Sequence, residues 1–236
     1  MAAARRHWFR HSTGFMSDPI SPYHKPGFYD QALATGRHRD IVGGRWDETG
    51  RAEMEILRAA GLMPHHHLLD IGAGSLRLGC KAVPYLDPGH YWATDKSLAL
   101  MRYGHAHELA DPDRLPADHL IEDEDFRFAG VPPVITHALA FAVFTHLPLT
   151  HLAQALPQAH AAFPALQVLL FTVFLAPGGT VGPLRQPDGV VTHADRTPYH
   201  FDLSAVLALC AAAGFAAQVQ PDRLPRGQIL IRASRA

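Results

Sequence analysis

Apolar positions along this chain follow two alternating rhythms. From Leu68 onward, short apolar runs of strand length alternate with stretches whose apolar residues recur at helical spacing. The runs predict strands near Leu68–Ile71, His90–Thr94, His119–Ile121, Val134–Leu139, Gln167–Phe174, Phe215–Gln220 and Gln228–Arg232. Between them the spacing predicts helices near Leu76–Tyr85, Ser97–Leu109, Leu149–Ala162 and Leu203–Ala213. Asp202 or Ser204 would cap the last of these and Gly214 would end it. Alternation of this kind is the mark of an α/β fold whose parallel sheet is covered on both faces.

The chain ahead of that alternation reads differently. Residues 1–27 hold Pro19, Pro22 and Pro26 and are expected to be irregular. Residues 28–64 are expected to form a helical cap, with a short helix over Phe28–Thr35 and a longer one from about Trp46 to Ala60. In the longer one Met54, Leu57 and Ala60, with Ile56 beside them, recur at helical spacing; Gly61 closes it and Pro64 forbids its return. Residues 65–236 then form the sheet domain. Within it the segment Ala176–Pro198 is rich in Gly and Pro. Loops longer than about 15 residues are usually functional or disordered, so this one, with the N-terminal segment, is a candidate lid that would keep water from a site.

The segment LLDIGAGSLRLG, Leu68 to Gly79, carries the chemistry. It predicts a buried strand ending at Asp70, a turn through Gly72, Ala73 and Gly74, and a helix start. Open α/β sheets bind ligands over the carboxyl ends of their strands, and glycines there let the backbone approach a ligand closely. The second strand ends at Asp95, 21 residues beyond Gly74. A carboxylate at that place can accept hydrogen bonds from both ribose hydroxyls, so Asp95 points to a nucleoside, with Lys96 beside it. The competing reading is an Asp that only starts the next helix, sharing the cap with Ser97. A dinucleotide site wants a third Gly three residues after the second, and Arg77 stands there instead.

Charge and composition narrow the partners. The formal net charge is −1, with 21 Lys and Arg against 22 Asp and Glu, which is no footprint for nucleic acid. Only the start is locally basic, with Arg5, Arg6 and Arg10 around Trp8 and Phe9; the run is short for a transit peptide. No apolar stretch there suits a signal peptide or a membrane span, so the expectation is a cytoplasmic protein without a membrane partner. Cys80 and Cys210 both fall in predicted helices, which suits reduced, buried thiols. The chain has 17 histidines. His65, His66 and His67 are adjacent, and His105 and His107 lie two apart on a helix; neither spacing converges on one ion. They read as surface histidines, and no metal is expected.

Taken together, Asp70 before a two-glycine turn with no third Gly resembles motif I of the class I S-adenosylmethionine (SAM) methyltransferases. From Gly36 to the C-terminus the chain is similar to a bacterial group of small members of that class. It shows GRHRDIVGGRWDETG, LLDIGAGSLRLG, AVFTHLP and TPYHF where that group carries corresponding segments. The resemblance implies a Rossmann-like, seven-stranded, mostly parallel sheet (the class I methyltransferase fold) with an N-terminal helical extension. It implies SAM as methyl donor, held by Asp70, Gly72, Ala73, Gly74, Asp95 and Lys96. In such enzymes a residue in the loop after the third strand often contacts the adenine; Asp123, in the run Glu122 to Phe126, is the choice here, against the reading of a solvated turn. Phe126 or Leu98 would wall the adenine ring.

The fourth strand and its exit resemble motif IV, with Val143, Phe144, His146 and Leu147 matching. Thr136 and His137 stand where an Asp is expected. His146 would sit beside the methyl group, either as a base or only as an orienting group for the loop. A Pro-Gly-Gly turn precedes the fifth strand in many such enzymes; here Pro177-Gly178-Gly179 follows it, and Phe163-Pro164-Ala165 takes the turn. Tyr199 and His200 end the long loop and are further candidates for the substrate cleft, against a structural role. Arg226 or Gln228, in the last hairpin, could line the same cleft.

The function expected is methyl transfer to an O or N atom of a small-molecule acceptor. One rival is a SAM-binding scaffold without turnover, suggested by the missing motif IV acid and by Phe141 at the site edge. The other is an NAD-dependent oxidoreductase, which Arg77 disfavours. The sequence leaves the acceptor and the oligomeric state open.

Overall fold

A computed structural model describes residues 21–236; the basic start lies outside them. Five parallel strands form the centre of one sheet: β1 (Leu68–Ile71), β2 (Tyr91–Asp95), β3 (Leu120–Glu122), β4 (His137–Ala140) and β5 (Val168–Leu175). The order is β3-β2-β1-β4-β5, continued by two antiparallel strands, β10 (Ile229–Arg235) beside β5 and β9 (Phe215–Arg223) at the edge. β1 pairs with β2 on one side and β4 on the other, Asp70 lying opposite Ala93 and Leu139. The strand order reverses at β1, and a crevice opens there at the carboxyl ends of the strands.

Each strand of the centre is buried on both faces because helices cover both. On one face α6 (Leu149–Ala162) and α7 (Leu203–Ala212) meet Leu69, Ile71, Leu169, Phe171 and Val173. On the other, α3 (Trp46–Ala59), α4 (Gly79–Tyr85) and α5 (Leu98–His107) cover Leu68, Tyr91, Ala93, Leu139 and Leu170. Successive side chains point to opposite faces, so β5 supplies Val168 and Leu170 to one core and Leu169 and Phe171 to the other. Fully apolar strands of this type belong to sheets buried on both sides. Two shorter helices, α1 (Phe28–Ala34) and α2 (His38–Ile41), complete an N-terminal layer with α3. From α2, His38 and Arg39 each reach Glu108 at the end of α5, at 2.6 Å. Arg39 also lies over the Trp46 ring, 5.1 Å from its centre.

Several expectations are corrected. The segment before α1 is not irregular throughout: Pro22–His24 form a turn of 3-10 helix, with Ser21 buried. The helix after β1 starts at Gly79 rather than Leu76, because Leu76 sits at φ 65, outside the helical region. The long loop is not structureless. It carries the hairpin β6 (Leu184–Arg185) and β7 (Val191–Thr192), then β8 (His200–Phe201) alongside the end of β5. The turn before β5 runs through Phe163, as expected, while Pro177-Gly178-Gly179 lies beyond it.

Of the histidines expected at the surface, His65 and His107 are exposed and His66, His67 and His105 half-buried. His66 stacks on the buried His137 at 4.6 Å, and His67 stacks on His90 at 3.9 Å. This group lies at the amino ends of the strands, opposite the crevice, and burial pushes His137 down to about 4. Among the described residues no cluster of His, Cys, Asp and Glu could hold a metal ion, and no helix is long and apolar enough to cross a membrane. Cys80 is half-buried on α4 and Cys210 buried on α7, and both are free thiols.

The closest approach in the fold is made by Gly104 of α5, where a Cβ would overlap the Ser75 carbonyl in the turn after β1. Gly104→Ala is therefore expected to destabilise the protein by about 1–3 kcal/mol, despite a helix-propensity gain of about 1 kcal/mol. Urea denaturation checks this; an unchanged or raised midpoint would show that the turn yields freely.

Candidate active site

At the crevice the turn after β1 is held from below by the end of β2. The Gly72 and Ala73 N–H groups donate to the Thr94 carbonyl, at 2.7 and 3.1 Å. Gly74 N–H donates to Asp95 Oδ2 at 2.9 Å, and Ser97 N–H donates to Asp95 Oδ1 at 2.8 Å. Asp95 thus starts α5 and also grips the glycine turn, with Ser97 Oγ accepting from Leu100 N–H as the helix cap. Each of its oxygens retains an acceptor position, because a carboxylate oxygen can accept two bonds. Burial raises its pKa, partly offset by the two backbone donors. Gly72 and Gly74 both have positive φ. A Cβ on Gly72 would come within 2.5 Å of Val143, and one on Gly74 within 2.5 Å of Val42.

Beneath the turn lies a buried set of charges. Arg77, in the position of a third glycine, donates through Nη2 to Glu53 Oε1 at 2.5 Å and through Nε to the same carboxylate. Its Nη1 donates to the Val42 carbonyl. Asp70 accepts from the Tyr91 hydroxyl at 2.5 Å. Burial, reinforced by the nearby Glu53, pushes Asp70 up to about 7. Asp70 still lines the cavity, together with Gly72, Ala73, Gly74, Asp95, Lys96 and Asp123.

The wall on the β3 side is formed by the loop that follows that strand. Asp123 accepts from the N–H groups of Asp125, Arg127 and Phe128, at 2.8–3.2 Å, and so shapes its own loop while facing the cavity. Lys96 pairs with Glu124. Phe126, at φ 56, lines the cavity; Leu98 instead packs into the core, and Leu100 takes the place expected of it.

The opposite wall comes from the exit of β4 and the turn between β9 and β10. Phe141, Ala142, Val143, His146, Arg226 and Gln228 all line it. Ala142, at φ 58, donates its N–H to Thr172 Oγ1 at 2.7 Å, and that hydroxyl donates to Gln228 Oε1 at 2.6 Å. This relay ties the three strand ends together. His146 Nδ1 lies 3.1 Å from Thr197 Oγ1, and the ring meets Tyr23 edge-on at 5.2 Å. Burial, with Arg226 nearby, pushes His146 down to about 4, so the imidazole is neutral at physiological pH.

Tyr199 and His200 do not line the cavity. The Tyr199 ring stacks on Phe201 in the core, and its N–H donates to the Thr145 carbonyl at 2.8 Å. His200 is 4% exposed, with Nδ1 2.9 Å from Thr192 Oγ1. Both strap the β4 exit from behind, because β8 pairs with β5 rather than projecting over the crevice. The long loop reaches the edge of the site through Thr197, beside His146, and Asp188, beside Gly227, but none of its residues lines the cavity as a lid would. That part falls to the N-terminal layer, whose Tyr23, Tyr29, Val42 and Glu53 border the cavity. Of these, Glu53 had a legible signal. It lies with Thr49, Ile56 and Leu57 on the buried face of α3, where a lone carboxylate requires a partner.

No protein-family model and no curated protein matches the chain. Solved structures do. The chain is similar to magnesium protoporphyrin IX methyltransferase from Synechocystis PCC 6803, crystallised with S-adenosylhomocysteine (SAH). The TM-score is 0.59 and the identity 13%, over 88% of this chain and 96% of that one. It is similar also to 1,6-didemethyltoxoflavin-N1-methyltransferase of Burkholderia thailandensis, with TM-score 0.59 and 19% identity, over 89% and 90%. A third is a glycopeptide N-methyltransferase, with TM-score 0.57 and 14% identity, over 81% and 92%. At such identities the likeness defines the fold: the chain has the class I methyltransferase fold, Rossmann-like and mostly parallel.

The raised pKa of Asp70 has a sign that can be tested. A carboxyl that is harder to ionise when folded contributes stability that is complete below its unfolded value near 3.8 and is lost as pH rises through about 7. The melting temperature of the wild type is expected to fall relative to that of Asp70→Asn between pH 5 and pH 8. Parallel curves for the two proteins would contradict the burial argument.

Proposed function

We propose that this protein is a SAM-dependent methyltransferase acting on an oxygen or nitrogen atom of a small molecule. The observation that carries the reading is the pairing of two walls across one cavity. A glycine turn gripped by a buried carboxylate lies on one side, and a neutral imidazole on the other. Structural neighbours crystallised with SAM or SAH support the choice of cofactor.

The residues present suit an adenosyl ligand. Asp95 keeps two acceptor positions for ribose hydroxyls; Phe126 and Leu100 offer an apolar wall for adenine, and Asp123 borders it. Asp70 lies under the turn, and a cationic amino-acid tail beside it would favour its ionised form, while Glu53 is already neutralised by Arg77. When bound, SAM supplies a methyl group already activated by the sulfonium. The chain's own task is then to orient the acceptor, exclude water and take up a proton. Positioning of this kind can supply about 7–11 kcal/mol. In the tautomer whose Nδ1–H donates to Thr197 Oγ1, His146 keeps a lone pair on Nε2, which can receive the acceptor's proton. The N-terminal layer, through Tyr23 and Tyr29, closes the cavity over both ligands.

Calorimetric titration with SAM, SAH and NAD tests the cofactor. Both adenosyl ligands are expected to bind, and Asp95→Ala is expected to weaken them by at least about tenfold, or about 1.4 kcal/mol. Binding of NAD alone would restore the oxidoreductase. In cell extract the wild type is expected to release SAH, while His146→Ala loses about 10²- to 10⁴-fold in turnover with SAM affinity retained. Adenosyl binding with no SAH released would make the protein a scaffold, and equal losses of turnover and affinity would remove His146 from the proton step.

A further inference from the structure

The charges around the cavity are divided between its two halves. Every carboxylate that lines it, namely Glu53, Asp70, Asp95, Asp123 and Glu124, belongs to α3, the glycine turn or the β2–β3 side. The wall built from the β4 exit and the last hairpin contributes none. Of the three cations at the cavity, Arg77 is paired with Glu53 and Lys96 with Glu124. Arg226 is different. Its only partner among the described residues is the Gly43 carbonyl, which accepts from Nη2 at 2.5 Å. A guanidinium has five N–H donors; the Arg226 side chain is exposed, so those not given to Gly43 are hydrated and open to exchange for a ligand.

The surroundings of Arg226 set what can use it. His146 and Tyr23 lie close enough to feel its field, and the Tyr23 hydroxyl is already committed to the Ile41 carbonyl at 3.0 Å. Neither is a counter-ion. His146 is a weak base beside a cation, poorly matched to an aliphatic alcohol, whose proton is held far too tightly. An alkylamine acceptor would arrive as an ammonium and be repelled by Arg226, and a neutral aromatic amine would gain nothing from its charge. An acidic hydroxyl meets both conditions, because its anion is matched in charge to the guanidinium and, lying beside the imidazole, makes His146 a stronger base than it is in the empty cavity.

Building on the methyltransferase reading above, we propose that the acceptor is a phenol or enol, bound with its oxygen as an anion between Arg226 and His146. The ring-lined wall of Tyr23, Phe141 and His146 suits a planar acceptor of this class. The balance is simple. The O–H bond breaks with its proton passing to His146 Nε2, and the oxygen pair forms the new bond to the methyl carbon. The pair of the broken S–C bond stays on sulfur, and the imidazolium then releases its proton to water.

The probe is 4-nitrophenol, whose anion is yellow and whose neutral form is not, added to SAH-saturated protein in mildly acidic buffer. Binding is expected to draw the phenol into its yellow form. It should be at least about tenfold (about 1.4 kcal/mol) tighter than for 4-nitroanisole or 4-nitrobenzylamine. Arg226→Gln should abolish both the colour and the preference with SAH affinity unchanged, and Arg226→Lys should keep part of each. The proposal is overturned by binding without colour, by no preference over the anisole, or by an unaltered Arg226→Gln. Equal binding of 4-nitrobenzoate would assign the anion to a carboxylate remote from the reacting oxygen, and would overturn it too. Failure of SAH itself to bind is a separate result and falls on the methyltransferase reading.

Discussion

The buried ion pair between Glu53 and Arg77 is the interaction on which the site depends. It joins α3, in the N-terminal layer, to the turn that follows β1, and the same guanidinium holds the Val42 carbonyl. Val42 in turn packs against Gly74. Desolvating two charges costs several kcal/mol per ion, so such a pair persists only when its donors and acceptors are nearly all used. Here they are. The result is a rigid connection between the layer that closes the cavity and the backbone that floors it. It also explains why Arg occupies a position where a dinucleotide site would carry glycine: the side chain is consumed by the protein itself.

A second constraint follows from burial. Asp70 and Asp95 sit where the sheet ends, shielded from water by the N-terminal layer, so their charge is expensive and their pKa values rise. Low local dielectric strengthens whatever opposite charge or hydrogen-bond donor is placed next to them. The opposite half of the cavity carries the reverse polarity, with Arg226 unpaired by any carboxylate among the described residues. A cavity polarised in this way holds a cation-bearing ligand at one end and favours an electron-rich one at the other. The fold supplies the polarity through topology: the two halves are contributed by strands on either side of the reversal at β1.

Much of this was legible along the chain. The strands came within three residues of their observed ends, because a strand buried on both faces must be apolar throughout and is bounded by polar turns. The glycine turn and Asp95 were legible because few residues fit a positive φ close to a neighbouring side chain. The helix after β1 was misplaced by the left-handed Leu76, whose conformation is set by packing and not by propensity. Tyr199 and His200 were read as cleft residues from their place at the end of a loop, and pairing of β8 with β5 turned them inward. Of the two segments expected to form a lid, only the N-terminal one borders the cavity, through the region around Tyr23 and Val42; the long Gly- and Pro-rich segment does not.

Periodicity and local chemistry therefore determined what each segment would be: strands, helices, the glycine turn, and a carboxylate at the end of the second strand. These depend on neighbours a few residues apart, and the sequence records such neighbours directly. Tertiary structure decided which segments meet. It brought Tyr23, His146 and Arg226 to one cavity, paired Glu53 with Arg77 across 24 residues, and stacked histidines in pairs at the far end of the sheet. Those outcomes depend on how sheet order and helix packing fold distant residues together, and no spacing along the chain encodes them.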